Sequence, residues 1–162
     1  MDPHLFKEAM ARVTAPVAIV TANDNGTPHG TTVSSLASLS LTPAMITIAL
    51  DEASALLGIV RRTGEFGVNV LAADQHDTAT RFASRRDDRF ADTAWEFTNG
   101  VPRIAGSSAW LHCTVTAEIP GGDHTLILGQ VHTCSSLDNT PLVYSRRTLG
   151  IQAALPMVAA VS

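Results

Sequence analysis

The stretch Ala109–Cys134, AWLHCTVTAEIPGGDHTLILGQVHTC, decides the fold. From Ala109 to Ile119 the side chains alternate, with Leu111, Cys113, Val115, Ala117 and Ile119 on one side and Trp110, His112, Thr114, Thr116 and Glu118 on the other. A period of two belongs to a strand with one face on a core and a wetter face opposite. Pro120-Gly121-Gly122 then turns the chain, and Thr125 to Cys134 resumes as the next strand. The pair sets an antiparallel framework that the rest of the chain extends.

Upstream, Pro16 to Thr21 is an apolar, β-branched run that meets Asn25-Gly26, a strong hairpin signal, and Thr27 to His29 restarts as a strand. Gly30 to Leu41, GTTVSSLASLSL, is crowded with hydroxyls; Pro43 interrupts it and Met45 to Leu50 alternates again. Asp51 to Arg62 reads as a helix, acidic at its start and basic at its end, with Gly64 as its stop. Glu65 to Leu71 is a strand, and Asp74 caps a second helix running to about Ala83. Ser84 to Asn99 reads as a long polar loop carrying Trp95 and Phe97. At the N-terminus Asp2 caps a helix with Pro3 at its first position, and Leu5, Phe6, Ala9, Met10 and Val13 share a face expected to dock. Downstream, Asn139-Thr140-Pro141 precedes a short strand from Leu142 to Tyr144, and the apolar Leu155 to Val161 tail is expected to be buried by dimer packing. About six strands with helices inserted between two of them, and no regular βαβ alternation, predict a mainly β, closed antiparallel barrel.

The 162 residues, 45% hydrophobic and 16% charged, fit one domain spanning residues 1–162. Cys113 and Cys134 fall inside apolar β-like runs and read as small core residues in a reducing, cytoplasmic setting. The N-terminal MDPHLFKEAM has no basic segment followed by an apolar one, and no run approaches the ~18 apolar residues of a membrane span. With a net charge of −4 and the Arg81–Arg89 cluster interleaved with Asp87 and Asp88, a nucleic-acid footprint is not expected.

No GxSxG elbow, HExxH, Walker loop or GxGxxG after a strand supplies a catalytic engine, so the chemistry is expected to be a cofactor's. Flavin mononucleotide needs a phosphate site, partners along the pyrimidine edge and a flat apolar slot. Thr32, Ser34, Ser35 and Ser38, with the backbone of Val33, offer such partners in a few residues of extended chain. The helix starting near Ser54 suits a phosphate, with Arg81 or, first among these arginines, Arg86 balancing its charge. A zinc site from His112, Cys113, His132 and Cys134 lacks the usual spacing, because His112 and Cys113 point to opposite faces of one strand; no metal is expected. Ser34 and Ser35 have no identifiable base, so ligand binding is a better reading for them than nucleophilic attack. The ordinary alternatives are a solvated edge strand for the hydroxyl-rich segment, a solvent-facing turn residue for His124 and a solvated face for the arginines.

Four stretches in order, HGTTVSSLASLSLTPAMITIALD, FGVNVL, GGDHTLILGQV and PLVYSRRTLG, resemble the short-chain flavin reductases, reductase partners of two-component flavin-dependent monooxygenases. The resemblance spans about Phe6 to Gly150 and implies a six-stranded antiparallel split β-barrel of the FMN-binding type. It implies that Thr32, Val33, Ser34, Ser35 and Ser38 contact flavin, while Asp51 and Ser54 line the phosphate and ribityl side; Thr31, Phe82 and Arg86 are further expected cofactor-binding residues. It places the dinucleotide, NADH or NADPH, at Gly122, Asp123 and His124, with Tyr144 and Arg146 as further contributors. It further implies a homodimer that reduces FMN or FAD and serves a separate oxygenase by diffusion. Hydride transfer from nicotinamide C4 to flavin N5 needs the two about 3 to 3.5 Å apart, so His124 is assigned alignment rather than obligatory proton transfer. Here the sequence departs from many relatives at Ser84–Phe90 and in the shortened Arg146–Gly150 segment. Two other readings predict different behaviour: a flavin-holding module without efficient turnover would tolerate loss of His124, and a cofactor-free structural subunit would take up no flavin.

Overall fold

A computed structural model describes residues 1–152. Its strands are β1 (Ala15–Pro16), β2 (Ala18–Asp24), β3 (Thr27–Val33), β4 (Ala37–Leu41), β5 (Ala44–Asp51), β6 (Glu65–Val70), β7 (Trp95–Thr98), β8 (Val101–Ile104), β9 (Ala109–Gly121), β10 (His124–Ser136), β11 (Leu142–Ser145) and β12 (Thr148–Ile151). The helices are α1 (Pro3–Met10), α2 (Ala55–Thr63) and α3 (His76–Ala83). The expected Leu155–Val161 tail lies outside the described residues.

The main sheet is antiparallel and has seven strands, in the order β3-β2-β6-β9-β10-β5-β4, rather than the expected six. The additional strand comes from the hydroxyl-rich segment, which breaks at residues 34–36 and splits into β3 and β4. Where β3 ends, Ser35 Oγ donates to Ala49 O and accepts from Ala49 N, joining the chain after β3 to β5.

β2 is buried on both faces. Ala18, Val20 and Ala22 join Ile48, Leu57, Phe66, Val68 and Ile127 in a core between sheet and α2, while Val17 and Ile19 join Leu71, Phe82, Ile104 and Leu142 beneath α3. A strand covered on both sides reads as a continuous apolar run, which accounts for the lack of alternation at residues 16–21. The two cores share a polar seam at Asn69, fully buried, whose Nδ2 donates to Ile19 O and Thr21 Oγ1 and whose Oδ1 accepts from Ile104 N. With every polar atom of the amide engaged, its burial is not penalised and it fixes β6 against β2 and β8.

Several local expectations shift for physical reasons. Helix α2 begins at Ala55, not Asp51, because Asp51 ends β5 and its Oδ1 accepts from Ala53 N to form the turn before the helix. Helix α3 is preceded by Gln75 rather than capped by Asp74, and the Gln75 side chain links Ala72 N to Ala105 O. The long loop shortens because Trp95–Thr98 pairs with Val101–Ile104, and it is pinned by edge-on contacts Phe82–Phe90–Trp95–Phe97 with centroids 4.8, 5.3 and 5.0 Å apart. Helix α1 is capped by Asp2 as expected, but it buries none of its residues against the rest of the chain. Trp110, expected on the wetter face of β9, is buried because the β7–β8 hairpin lies near it, whereas Ile119, expected on the core side, is exposed on the projecting end of the β9–β10 hairpin. Cys113 is buried as expected; Cys134 is exposed, in the part of β10 beyond the register shift between Val131 and Thr133.

Candidate active site

The β9–β10 turn is the centre of the site. Gly121 pairs with His124 across it, and Gly122 takes a φ of 75° at the first corner, a left-handed conformation that suits glycine. His124 opens β10 directly opposite Asp51, the last residue of β5. Its Nδ1 lies 2.8 Å from Asp123 Oδ1, and with that nitrogen as the donor the Nε2 atom is left for a ligand. The hydrogen bond from His124, followed by its charge, holds the Asp123 carboxyl below its usual value. The Asp123 carbonyl in turn accepts from Glu52 N at 3.0 Å, which couples the hairpin turn to the turn before α2.

An ionic bracket that the sequence did not disclose steadies this junction. Arg61, in the last turn of α2, donates to Glu118 at 2.8 Å, to Glu52 at 3.2 Å and to Thr125 Oγ1 at 3.0 Å, and the Thr125 hydroxyl donates to Glu52. Hydrogen bonding from Arg61, then from Thr125, lowers the Glu52 carboxyl below its ordinary value, and the two carboxylates raise the already high Arg61 value. Arg61 and Glu52 are each about two-fifths exposed, so the bracket's worth is geometric more than energetic.

A cleft of about 280 Å³ beside the turn gathers Thr31, Thr32, Val33, Ser34, Ser35, Asp51, Ser54 and His124. These come from the end of β3, the end of β5, the start of α2 and the start of β10, far apart in sequence. A second cleft of about 390 Å³ shares Thr32, Val33 and Ser34 with the first and is walled by Val17, Ala79, Ala83, Tyr144 and Leu149. One lobe is polar and the other mainly apolar, with the end of β3 between them.

The hydroxyls divide into two groups. Thr32 Oγ1 donates to Ala79 O at 2.7 Å and Ser35 is engaged with Ala49, so both are committed to the fold. Thr31, Ser34 and Ser54 have no side-chain partner among the described residues. Ser54 occupies the cap position of α2 without using its side chain there, and it lines the cleft just ahead of the helix N-terminus. The Asp51 carboxylate is turned to Ala53 N, where it shapes the turn.

Five expected contributors stand elsewhere, one of them Arg146, in the β11–β12 turn beside Glu8 and Ala11. Ser38 is exposed on β4 and lines neither cleft. Phe82 is fully buried beneath Gly30 and Phe90, so it supports β3 without offering a surface to a ligand. Arg86 forms a two-pronged pair with Asp88, at 2.8 and 2.7 Å, on the exposed loop. Gly122 shapes the turn and is not part of the cleft lining. Of the 81–89 arginines it is Arg89 that reaches the hydroxyl-rich strand, donating to Gly30 O at 2.7 Å and leaving a buried Nε without a partner. Among the described residues no cluster of three or more His, Cys, Asp or Glu side chains is placed to hold a metal ion, and no helix is long and apolar enough to cross a membrane.

Comparison with known proteins gives a consistent result. Residues 10–151 match the flavin reductase like domain. The chain is 38% identical over 149 residues to a protein of Streptomyces coelicolor named actinorhodin polyketide dimerase, covering 90% of this chain and 84% of that one. It is 35% identical over 148 residues to the reductase subunit HsaB of a flavin-dependent monooxygenase of Rhodococcus jostii, covering 90% of this chain and 76% of the relative. The crystal structure of nitrilotriacetate monooxygenase component B from Mycobacterium thermoresistibile superposes with a TM-score of 0.93 at 30% identity, covering 98% of this chain and 91% of that one. The antiparallel sheet with its three helices is thus that of a flavin reductase like domain, and this chain belongs to that family.

Proposed function

We propose that the protein is an NAD(P)H-dependent flavin reductase that supplies reduced FMN or FAD to a separate monooxygenase. The observation that carries this reading is the convergence of Thr31, Ser34, Ser54 and His124 in one cleft, with unengaged hydroxyls at a helix N-terminus and an apolar lobe next to them. Those groups fit a flavin: Ser54 and the start of α2 suit its phosphate, Thr31, Ser34 and the β3 backbone its polar edges, and Val17, Val33 and Tyr144 a flat ring. Bound flavin and dinucleotide would together supply the hydride exchange.

The chain's own part is alignment. His124 lines the cleft with Nδ1 on Asp123, so its Nε2 would be the atom to hydrogen-bond a nicotinamide carboxamide, and Arg61 ties together the two turns beside it. A homodimer is part of the proposal, supported by apolar surface left exposed in one copy: Leu41 at 90%, Ile119 at 47% and the outer face of α1.

Purified protein should oxidise NADH or NADPH at a rate that depends on added FMN or FAD, followed by loss of reduced-nicotinamide absorbance. Tight flavin binding with no oxidation of either dinucleotide would refute the reductase reading and favour a flavin-holding module.

A further inference from the structure

The β11–β12 hairpin carries at its tip two residues that the turn itself does not call for. Arg146 and Arg147 take φ values of 51° and 62°, left-handed positions that asparagine and glycine fill more easily. Arg146 N donates to Ala11 O at 2.6 Å, which seats the turn against the end of α1. There the two arginines meet Arg12 around a pocket of about 200 Å³ that Glu8 and Ala11 complete.

The lining is unbalanced in charge. Three guanidiniums against one carboxylate leave an excess of two positive charges. The carboxylate is already answered, because Glu8 lies 2.6 Å from Arg147 in a salt bridge. Among the described residues the side chains of Arg12 and Arg146 make no salt bridge, so both keep their donors for a ligand. Tyr144 and Leu149, one pair inside the Ser145–Thr148 end of the same hairpin, wall the apolar lobe. Polar lobe, apolar lobe and basic pocket therefore follow in series, joined first by Thr32, Val33 and Ser34 and then by β11 and β12.

We propose that Arg12 and Arg146, with the Glu8-paired Arg147 beside them, bind the 2′-phosphate of NADPH and so select NADPH over NADH. The choice of ligand rests on the reductase reading: a dinucleotide with its nicotinamide at His124 extends across the apolar lobe toward its adenosine end. A phosphate monoester carries close to two negative charges near neutral pH, matches the guanidinium fork, and is the one group that distinguishes the two dinucleotides. A pocket of this size suits a single charged group rather than a whole ligand.

The first measurement needs no turnover. Calorimetric titration of the protein should show adenosine 2′,5′-bisphosphate binding ~10-fold more tightly than 5′-AMP, an advantage that shrinks as salt is raised because the arginines are exposed. R12Q and R146G should each cut that advantage by ~3-fold or more. Glycine suits the left-handed φ at position 146, so R146G should melt close to the parent and its lost affinity is not lost fold. In steady-state assays kcat/KM should be ~10-fold higher with NADPH than with NADH, and both variants should narrow that ratio through KM. Equal affinity for the two adenine nucleotides, or an advantage that both variants leave intact, would overturn the proposal. A reductase that uses NADH as well as NADPH would overturn it too, with the reductase reading intact. Variants that weaken FAD but not FMN while the dinucleotide ratio stands would give the pocket to the adenylate phosphate of FAD instead. Oxidation of neither dinucleotide, with the bisphosphate advantage present and lost in both variants, would refute the reductase reading while upholding the phosphate site.

Discussion

Replacing Ser35 by alanine separates a structural hydroxyl from a ligand-binding one. In the fold, Ser35 Oγ donates to Ala49 O at 3.1 Å and accepts from Ala49 N at 2.9 Å, so one hydroxyl satisfies both backbone groups of a β5 residue. S35A removes two hydrogen bonds with a net worth of about 0.5–1.5 kcal/mol each, a loss of about 1–3 kcal/mol. Both residues are only partly buried, so water can enter and the lower half of that range applies. A loss of ~1.5 kcal/mol corresponds to a fall in Tm of roughly 3–6 °C for a domain of this size. Thermal unfolding of the flavin-free protein, followed by circular dichroism, measures it. S34A is the matched control, since its hydroxyl has no partner among the described residues: its Tm should stay within ~1 °C of the parent while its flavin affinity falls. If S35A melts with the parent and S34A melts early, the division of the hydroxyls is wrong.

Other consequences follow from the same geometry. His124→Ala should lower turnover with NADH by ~10- to 100-fold while leaving FMN affinity nearly unchanged, as judged by steady-state rates and flavin titration; an unchanged rate would remove His124 from the nicotinamide side. Gly129→Ala would set a methyl 2.5 Å from Cζ of the fully buried Phe66, so urea unfolding should show a loss of about 1–3 kcal/mol from overpacking. Burial pushes the Cys113 thiol up to about 12, whereas Cys134 is exposed; a thiol reagent at mildly alkaline pH should therefore titrate one cysteine in the native protein and two after denaturation. Glu52 has a lowered folded-state value, so its stabilising effect is present above the ordinary 4.5 and fades as pH falls through the folded value. The Tm gap between the parent and E52Q should accordingly narrow on acidification below that point; a gap that widens would contradict the Arg61 bracket.

Local periodicity made the long hairpin, the Asn25-Gly26 turn and the β6 strand legible, because each is written in neighbouring residues. What covers a strand is not. The alternation along β9 indicated the pleat, but Trp110 is buried by a distant hairpin and Ile119 projects beyond the sheet, so the wet and dry sides exchange along one strand. The β11–β12 hairpin was hidden by its turn: Arg146 and Arg147 take φ values of 51° and 62°, where the usual signal is asparagine or glycine. At the site, the residue types were visible and their commitments were not. Thr32 and Ser35 are spent on Ala79 and Ala49, Arg86 on Asp88, and Arg89 rather than Arg86 reaches β3. The acids and base of the Arg61 bracket are separated by up to 66 residues, and no local pattern links Glu52, Arg61 and Glu118.

Those commitments bear on how firmly the proposed site would hold flavin. The hydroxyls left for a ligand are neutral, and each hydrogen bond they make adds only about 0.5–1.5 kcal/mol net. Neither Arg61 nor Arg86 lines the cleft, and both are engaged: Arg61 serves two carboxylates, and Arg86 serves Asp88. Recruiting either to a phosphate would expose the acid it leaves behind, so part of the new attraction would be offset by the pair that is broken. A cleft built this way depends on the helix N-terminus and on ring packing, which favours moderate affinity over permanent retention. Moderate affinity is what release to a separate monooxygenase requires, because a flavin held by several charge-assisted bonds would leave too slowly to be passed on.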